Sequence, residues 1–501
     1  MKKTKRFKKM FLLLIPFMLA FALSGCGSSS SSPPPSSPPP SSPPATSSSS
    51  QSGAMGVAVV NGATDVAAPA TGNGVGYLTT LPNTGALIGV TVSSAEFQPI
   101  SVPAITTAVS GTNLDCAHSI GVAFSYDSPV VAFFSFPSKC APSTSTLNQV
   151  GYYTTVSTNQ LHSSAGYGDV GGVVLDSADQ WAIASTGDGF QIISYSTPSA
   201  PTLVKTIPSY TAATPAGIDM AENFAFDPNF SVSTVTDPMI LSGGYSDNSL
   251  YGTSYDTNSL ELADLKTGII YKPDASTVTN FNNAVAGFEK ANPNDGDSAA
   301  YSCNTDQIGV DTSYQVAVLG CEDQSFGVLV NLNAMTFTAP TTTGEDGTYT
   351  LPTSAIIVFP TQPIASGFDM DNALIESNTH TVFIGAGGLW GAGDKFMVGV
   401  LSNPATKFGF TMVPTSVTMP VTSLSNTANC SYTGCVAITP GITWLGAGDP
   451  HANAVYQNAS GNAMALWLST SFQGMAVINL TSVLTAPSAP PAASIWYQGI
   501  P

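Results

Sequence analysis

From Met55 onward, short apolar runs rich in Val, Ile, Phe and Tyr alternate with clusters of Gly, Asn, Asp, Ser and Pro. Long helical periodicity is absent, and the spacing predicts short strands joined by polar turns. The runs recur in a fixed order: a Gly-led strand, a turn, a second apolar strand, another turn and a third strand. Copies read at 120–124 and 130–134, then at 172–175, 181–184 and 190–193. A third copy spans 217–220, 239–241 and 260–265, and a fourth 308–311, 315–319 and 327–332. The fifth covers 367–370, 382–384 and 396–400, and the last 454–456, 463–468 and 474–480.

The first three leading glycines, Gly121, Gly172 and Gly217, stand 51 and 45 residues apart. Repeats of about 40–50 residues with three or four strands each are the signature of β-propeller blades. The third strands end Val330-Asn331-Leu332 and Ile478-Asn479-Leu480, and with the blade rhythm they resemble secreted bacterial β-propeller repeat proteins. The expected fold is all-β, a propeller over residues 55–501 with seven blades, six and eight remaining open. Tandem β-sandwiches are the alternative. The long intervals from Gly217 to Gly309 and from Gly367 to Ala454 call for either a degenerate blade or a loop insertion. Residues 55–100 supply a closing strand or a seventh blade.

Charge narrows the partners. Six of the 13 basic residues fall within the first nine positions, and after Cys26 seven lysines and no arginine face 31 acids, a net charge of −24. Such a surface repels nucleic acid and offers no guanidinium to grip phosphate. The basic start is followed by an apolar stretch, Met10 to Leu23, of about 14 residues, short of the ~20 needed to span a bilayer. It ends in Leu23-Ser24-Gly25-Cys26, which resembles the lipobox of bacterial lipoproteins. The resemblance implies a signal peptide over residues 1–25 and lipidation at Cys26, with Gly27 in place of a retaining Asp. A lipid anchor at the cell envelope, on the outer membrane of a Gram-negative cell, is the expected location, and that anchor the only contact with the membrane. Residues 26–54 form a Ser/Pro-rich tether, which at ~3.1 Å per residue reaches up to ~80 Å.

Six further cysteines, Cys116, Cys140, Cys303, Cys321, Cys430 and Cys435, form an even set in an exported chain and argue for disulfides. Fifteen pairings exist in principle, and spacing favours neighbours: 116 with 140, 303 with 321, 430 with 435. No nucleophile elbow, phosphate loop or His-Glu-x-x-His pattern is present. Alignment of the copies on their leading residue sets His118, Asp169, Asp306 and His451 three positions ahead of it. Such a ring at the channel mouth would suit one divalent metal, Zn²⁺ or similar; turn capping between blades is the plainer reading. Asp219, Asp311 and Asp369 follow the leading glycine by two positions and read as hydrogen-bond acceptors between blades, or as paired carboxylates for acid–base work. Asn292, Asn294, Asp295 and Asp297 carry Ca²⁺-type oxygens but lack the closing Glu of an EF-hand loop, so they read first as a polar turn. Trp181 and Trp467 fall within strand runs and read as core, whereas Trp390, among glycines, reads as an exposed binding residue.

The function expected from these features is a lipid-anchored binding scaffold for a protein or glycan rather than an enzyme. The alternative is a propeller enzyme of hydrolase, lyase or lactonase type using a channel-mouth metal, with a cofactor-dependent dehydrogenase third. Scarce charge and absent arginine also suit an acidic medium, where protonation relieves the repulsion among carboxylates.

Overall fold

The computed structural model describes residues 58–60, 75–80, 96–106, 109, 111–125, 128–137, 145–158, 170–209, 217–218, 224–243, 260–292, 303–322, 326–342, 344–360, 369–387, 395–412, 417–418, 454–457, 461–469, 474–486 and 495–499. These residues form a β-propeller. Blade 1 is a three-stranded meander of β1 (Ala58–Val60), β2 (Val75–Thr80) and β3 (Glu96–Ser101). Blade 2 comprises β4 (Gly111–Asp115), β5 (Ile120–Ser125), β6 (Ser128–Ser135) and β7 (Leu147–Thr154). Blade 3 holds β8 (Gly172–Asp176), β9 (Trp181–Thr186), β10 (Gly189–Ser194) and β11 (Thr202–Pro208). Blade 4 follows with β12 (Ala225–Asp227), β13 (Met239–Gly243), β14 (Leu260–Asp264) and β15 (Ile270–Pro273).

Blade 5 starts with β16 (Asn304–Asp311), β17 (Val316–Glu322) and β18 (Phe326–Asn331). The chain then leaves it for a hairpin, β19 (Thr336–Thr338) and β20 (Gly347–Thr350), which extends blade 4 through parallel pairing with β15. It returns as β21 (Ile356–Pro360), the outer strand of blade 5. Blade 6 is β22 (Asp369–Glu376), β23 (Thr381–Gly387), β24 (Lys395–Ser402) and β25 (Gly409–Met412), with the short β26 (Val417–Thr418) beside β24. Blade 7 is β27 (Ala454–Gln457), β28 (Ala463–Ser469), β29 (Gly474–Asn479) and β30 (Ile495–Gly499). β3 also pairs in parallel with β7, Ile100 with Leu147 and Ser101 with Asn148, joining the outer edges of blades 1 and 2 into one sheet; counted as meanders, the described residues hold six four-stranded blades and one of three strands.

The continuous apolar runs have a simple cause: both faces of a blade are covered. In blade 3, Ala182, Ala184 and Ile193 pack with Val122 and Phe133 of blade 2. The alternate residues Ile183, Phe190 and Ile192 pack with Ile240 and Ala263 of blade 4. Blades 4 and 5 share Leu241, Leu262, Ala317 and Val328; blades 5 and 6 share Val318, Leu329, Val382 and Ile384. Blades 6 and 7 meet through Phe383, Val398, Ala465 and Ile478. Each fully buried Ile or Phe contributes about 1.5–3 kcal/mol. Sharing one core after another among successive blades is incompatible with tandem sandwiches, in which each sheet buries a single face.

One of the two alternatives left open by the sequence is decided, and one feature differs from the sequence reading. The interval from Gly217 to Gly309 carries an insertion, helix α1 (Ala275–Ala291), not a degenerate blade. Only Thr277, Phe281 and Val285 of α1 are buried, a stripe one residue wide amid Thr and Asn, and so its period is faint. Its start is firmer, because Asp274 caps it by accepting the Thr277 amide at 2.7 Å. The glycines, secondly, do not mark a common register. Gly121 lies in the second strand of its blade, where a Cβ would come 2.2 Å from the Phe134 ring. Gly309 lies in a first strand, where a Cβ would meet the Ala373 carbonyl oxygen of the next blade at 2.5 Å.

Candidate functional site

The first strands of five successive blades end in a carboxylate: Asp115, Asp176, Asp227, Asp311 and Glu376. A four-residue turn follows in blades 2, 3, 5 and 6, and its last residue, Ser119 (φ 59°), Gln180 (φ 55°), Gln315 (φ 52°) or His380 (φ 57°), is left-handed. Left-handed backbone costs a non-glycine residue energy, so it persists only where the surroundings fix it. Here the carboxylate fixes the start of the turn. Asp115 accepts the amides of Ala117 (3.1 Å) and His118 (3.3 Å), and Asp311 those of Ser313 (3.0 Å) and Tyr314 (2.8 Å). The third strand fixes its end: the carbonyls of Ser119, Gln180, Gln315 and His380 each accept, at 2.9 Å, the amide of a buried residue at or just past the end of that strand, Phe136, Tyr195, Leu332 and Leu401.

The Asn of the Val-Asn-Leu and Ile-Asn-Leu endings belongs to the same end of the blades. Asn331 accepts the Asn333 amide at 3.2 Å and Asn479 that of Ser482 at 3.0 Å, each capping the turn after its third strand.

The second carboxylate oxygen reaches the next blade. Asp227 Oδ2 receives Nε2 of Gln315 at 2.6 Å, and Asp311 Oδ2 receives Nδ1 of His380 at 2.7 Å. His380 is also stacked on Tyr314, ring centroids 3.4 Å apart and 7° from parallel. Blades 2 and 3 use different groups for the same contact: Ser177 Oγ donates to Asp115 Oδ1 at 2.8 Å and the Tyr195 hydroxyl to Oδ2 at 2.7 Å. Burial pushes the Asp115 carboxyl up, but the bonds from Tyr195, Ser177 and His118 outweigh it and hold the group below its ordinary 3.8. Burial also lifts the Tyr195 hydroxyl far above its usual range, and Asp115 and Asp176 lift it further, so it stays a donor.

Among the described residues two junctions do not show the latch. In blade 7 the left-handed residue is Gly461, two positions ahead of β28, and Glu376 turns to its own loop, accepting the Asn378 amide and Nδ2 and the Thr379 amide and Oγ1 at 2.6–3.2 Å. Blade 4 has a longer first turn, and Asp176 keeps only the amides of Ala178 (3.0 Å) and Asp179 (3.4 Å). On the surface of that junction Lys266 of blade 4 pairs with Asp179 of blade 3. Lys266 and Lys205 lie 5.4 and 5.9 Å from the Trp181 ring centroid, and Trp181 itself packs on the core.

The expected metal ring compared positions that are not equivalent. His118 lies in the turn after a first strand, whereas Asp306 lies near the start of one, in β16. The structure joins His118 to Asp115, Nδ1 to Oδ2 at 2.6 Å. Asp169 and His451 lie outside the described residues, as do Asp219, Asn294, Asp295, Asp297, Trp390 and Cys26. Among the described residues no group of three or more His, Cys, Asp or Glu side chains could hold a metal ion. Ser177 Oγ approaches the His118 nitrogen that already faces Asp115, at 3.4 Å, whereas a Ser-His-Asp relay needs the serine on the other nitrogen. Asp311 is the acceptor between blades that its repeat position suggested, while Asp369 starts β22 and Glu376 fills the equivalent place.

Cys303 and Cys321 are bridged, 18 residues apart with Cα atoms 4.7 Å apart, tying the approach to β16 to the far part of β17. Cys116 is disulfide-bonded too, but stands in the β4–β5 turn. Cys140, Cys430 and Cys435 lie outside the described residues.

No protein family and no curated protein matches the chain by sequence. Similar folds occur among solved structures. A protein from Lactobacillus plantarum superposes with a TM-score of 0.46 at 8% identity, covering 89% of this chain and 97% of that one. A candidate 6-phosphogluconolactonase from Bacteroides uniformis gives 0.45 at 9% identity, covering 85% and 92%. The periplasmic gluconolactonase of Pseudomonas aeruginosa gives 0.41 at 7% identity, covering 85% and 100%. Similarity this distant carries no activity across.

Proposed function

We propose that the protein is an exported, lipid-anchored scaffold whose propeller binds a protein or glycan partner at the cell envelope. One observation carries the scaffold reading. Three of the five carboxylates at the first-strand ends, Asp115, Asp227 and Asp311, spend their oxygens on turn amides and on Gln315, His380, Ser177 and Tyr195 of following blades. Their chemistry rigidifies the body rather than facing a substrate. Connections from second to third strands, and from one blade to the next, leave from the opposite end of the blades, and there a partner would be met. The anchor rests on Leu23-Ser24-Gly25-Cys26 and on the Ser/Pro tract that follows.

The full chain is expected to take up radiolabelled palmitate in a bacterial host and to pellet with membranes. Cys26→Ala should lose both the label and the sedimentation; an unlabelled wild type would overturn the anchor. Purified protein should carry no stoichiometric transition metal. About one equivalent, lost in a His118→Ala/His451→Ala double variant, would overturn the scaffold reading in favour of a metal-dependent propeller enzyme.

A further inference from the structure

Asp176 breaks the rule of its neighbours. In blades 5 and 6 the left-handed turn residue reaches back to the preceding carboxylate, whereas its counterpart in blade 4, Ser233 (φ 56°), is exposed in a longer loop. Eleven residues separate β12 from β13, against four between the first two strands of blades 2, 3, 5 and 6. Asp176 is only 1% exposed, and among the described residues no group hydrogen-bonds its buried Oδ2.

The charged and titratable groups around it do not compensate. From its own turn Asp179 brings a second carboxyl and a like charge, and Lys266 of blade 4, which also feels the Asp176 charge, bonds to Asp179 rather than to Asp176. Lys205 donates to the Lys266 carbonyl at 2.9 Å, and Asp237 acts on Lys266 from blade 4. Tyr195 gives its proton to Asp115, which His118 also holds, and only approaches the Asp176 carbonyl at 3.4 Å. An ionised carboxylate with one buried oxygen that no protein group binds is expensive, and the neutral acid costs much less to bury.

We infer that Asp176 is held as a carboxylic acid in the folded protein, so that the junction of blades 3 and 4 is tighter in acid than at neutral pH. Burial first, and the Asp179 charge with it, pushes the Asp176 carboxyl above its ordinary 3.8, in agreement with this geometry. The folded chain then binds a proton that the unfolded chain has released. The stabilisation is complete below pH 3.8 and is lost as pH rises through the folded value. This inference stands whether or not the chain is lipid-anchored.

The test compares full-length wild type with Asp176→Asn, which keeps an oxygen for the two amides but cannot ionise. Between about pH 4 and pH 7 the wild-type thermal midpoint should fall more steeply than that of the variant. The variant should have the higher midpoint at pH 7, and the gap should close towards pH 4. Parallel profiles, or a variant as much weakened at pH 7 as at pH 4, would overturn the inference. Should the variant not fold, infrared spectroscopy of Asp227→Asn at about pH 6 decides. A surviving carbonyl stretch from an un-ionised carboxyl supports the inference, and its absence overturns it.

Discussion

The junctions between blades 5 and 6 and between blades 3 and 4 are built from the same parts and behave oppositely. At the first, Asp311 is fully buried yet accepts two amides, the Ser313 hydroxyl and His380 Nδ1. At the second, Asp176 is equally buried but receives two amides on one oxygen and nothing on the other. The apolar packing is similar on both sides of each blade, so burial alone does not decide what a carboxylate contributes. The donor set decides it.

The contrast can be broken most forcefully at Asp311. Asp311→Ala strands the Ser313 and Tyr314 amides and the His380 imidazole, and should cost about 3 kcal/mol, read from the denaturant midpoint. Next comes the covalent brace of the same blade. Cys303→Ser/Cys321→Ser opens a loop with a separation of 18 residues, for which about 3 kcal/mol or somewhat less is expected in the same measurement. Gly309→Ala forces β16 away from the Ala373 carbonyl and should cost about 1–3 kcal/mol.

A pH series sharpens the comparison further. Asp176 and Asp227 are both pushed up, chiefly by burial, so their share of the stability falls as pH rises above 3.8. Asp115 and Asp274 are held down, Asp274 to about 2, so theirs falls as pH drops below 3.8. The thermal midpoint should therefore peak in mild acid rather than at neutrality. Asp176→Asn should give the smallest effect of the series, and at pH 7 the only stabilising one.

Much of the fold was legible in the chain because strands covered on both faces write long apolar runs, and turns write Gly, Asn and Asp between them. The site is harder to read because glycine, the most conspicuous recurring residue, does not mark register. Glycine occurs here for at least two unrelated reasons, room for an aromatic ring at Gly121 and close approach of two inner strands at Gly309. Aligning on it set a second strand of blade 2 against first strands of other blades, which brought His118 into one column with Asp306. A better mark was present: an apolar residue followed by an acid, as in Leu114-Asp115, Leu175-Asp176, Val310-Asp311 and Ile375-Glu376, five positions ahead of the next strand. His380, Gln315 and Tyr195 could not be found that way, because their partners sit 69 to 88 residues away. Such contacts depend on blade stacking, which local spacing does not encode.

Each latch points one way along the chain, with a later blade holding the carboxylate of the one before it. The body therefore has a grain, and the grain stops at blade 7. Gly461 carries no side chain, and Glu376 binds within its own turn. Among the described residues, pulling blades 6 and 7 apart would uncover apolar surface without taking a donor from Glu376. That seam is the natural place for a lineage to add or shed a repeat, and for an engineer to cut and rejoin the ring.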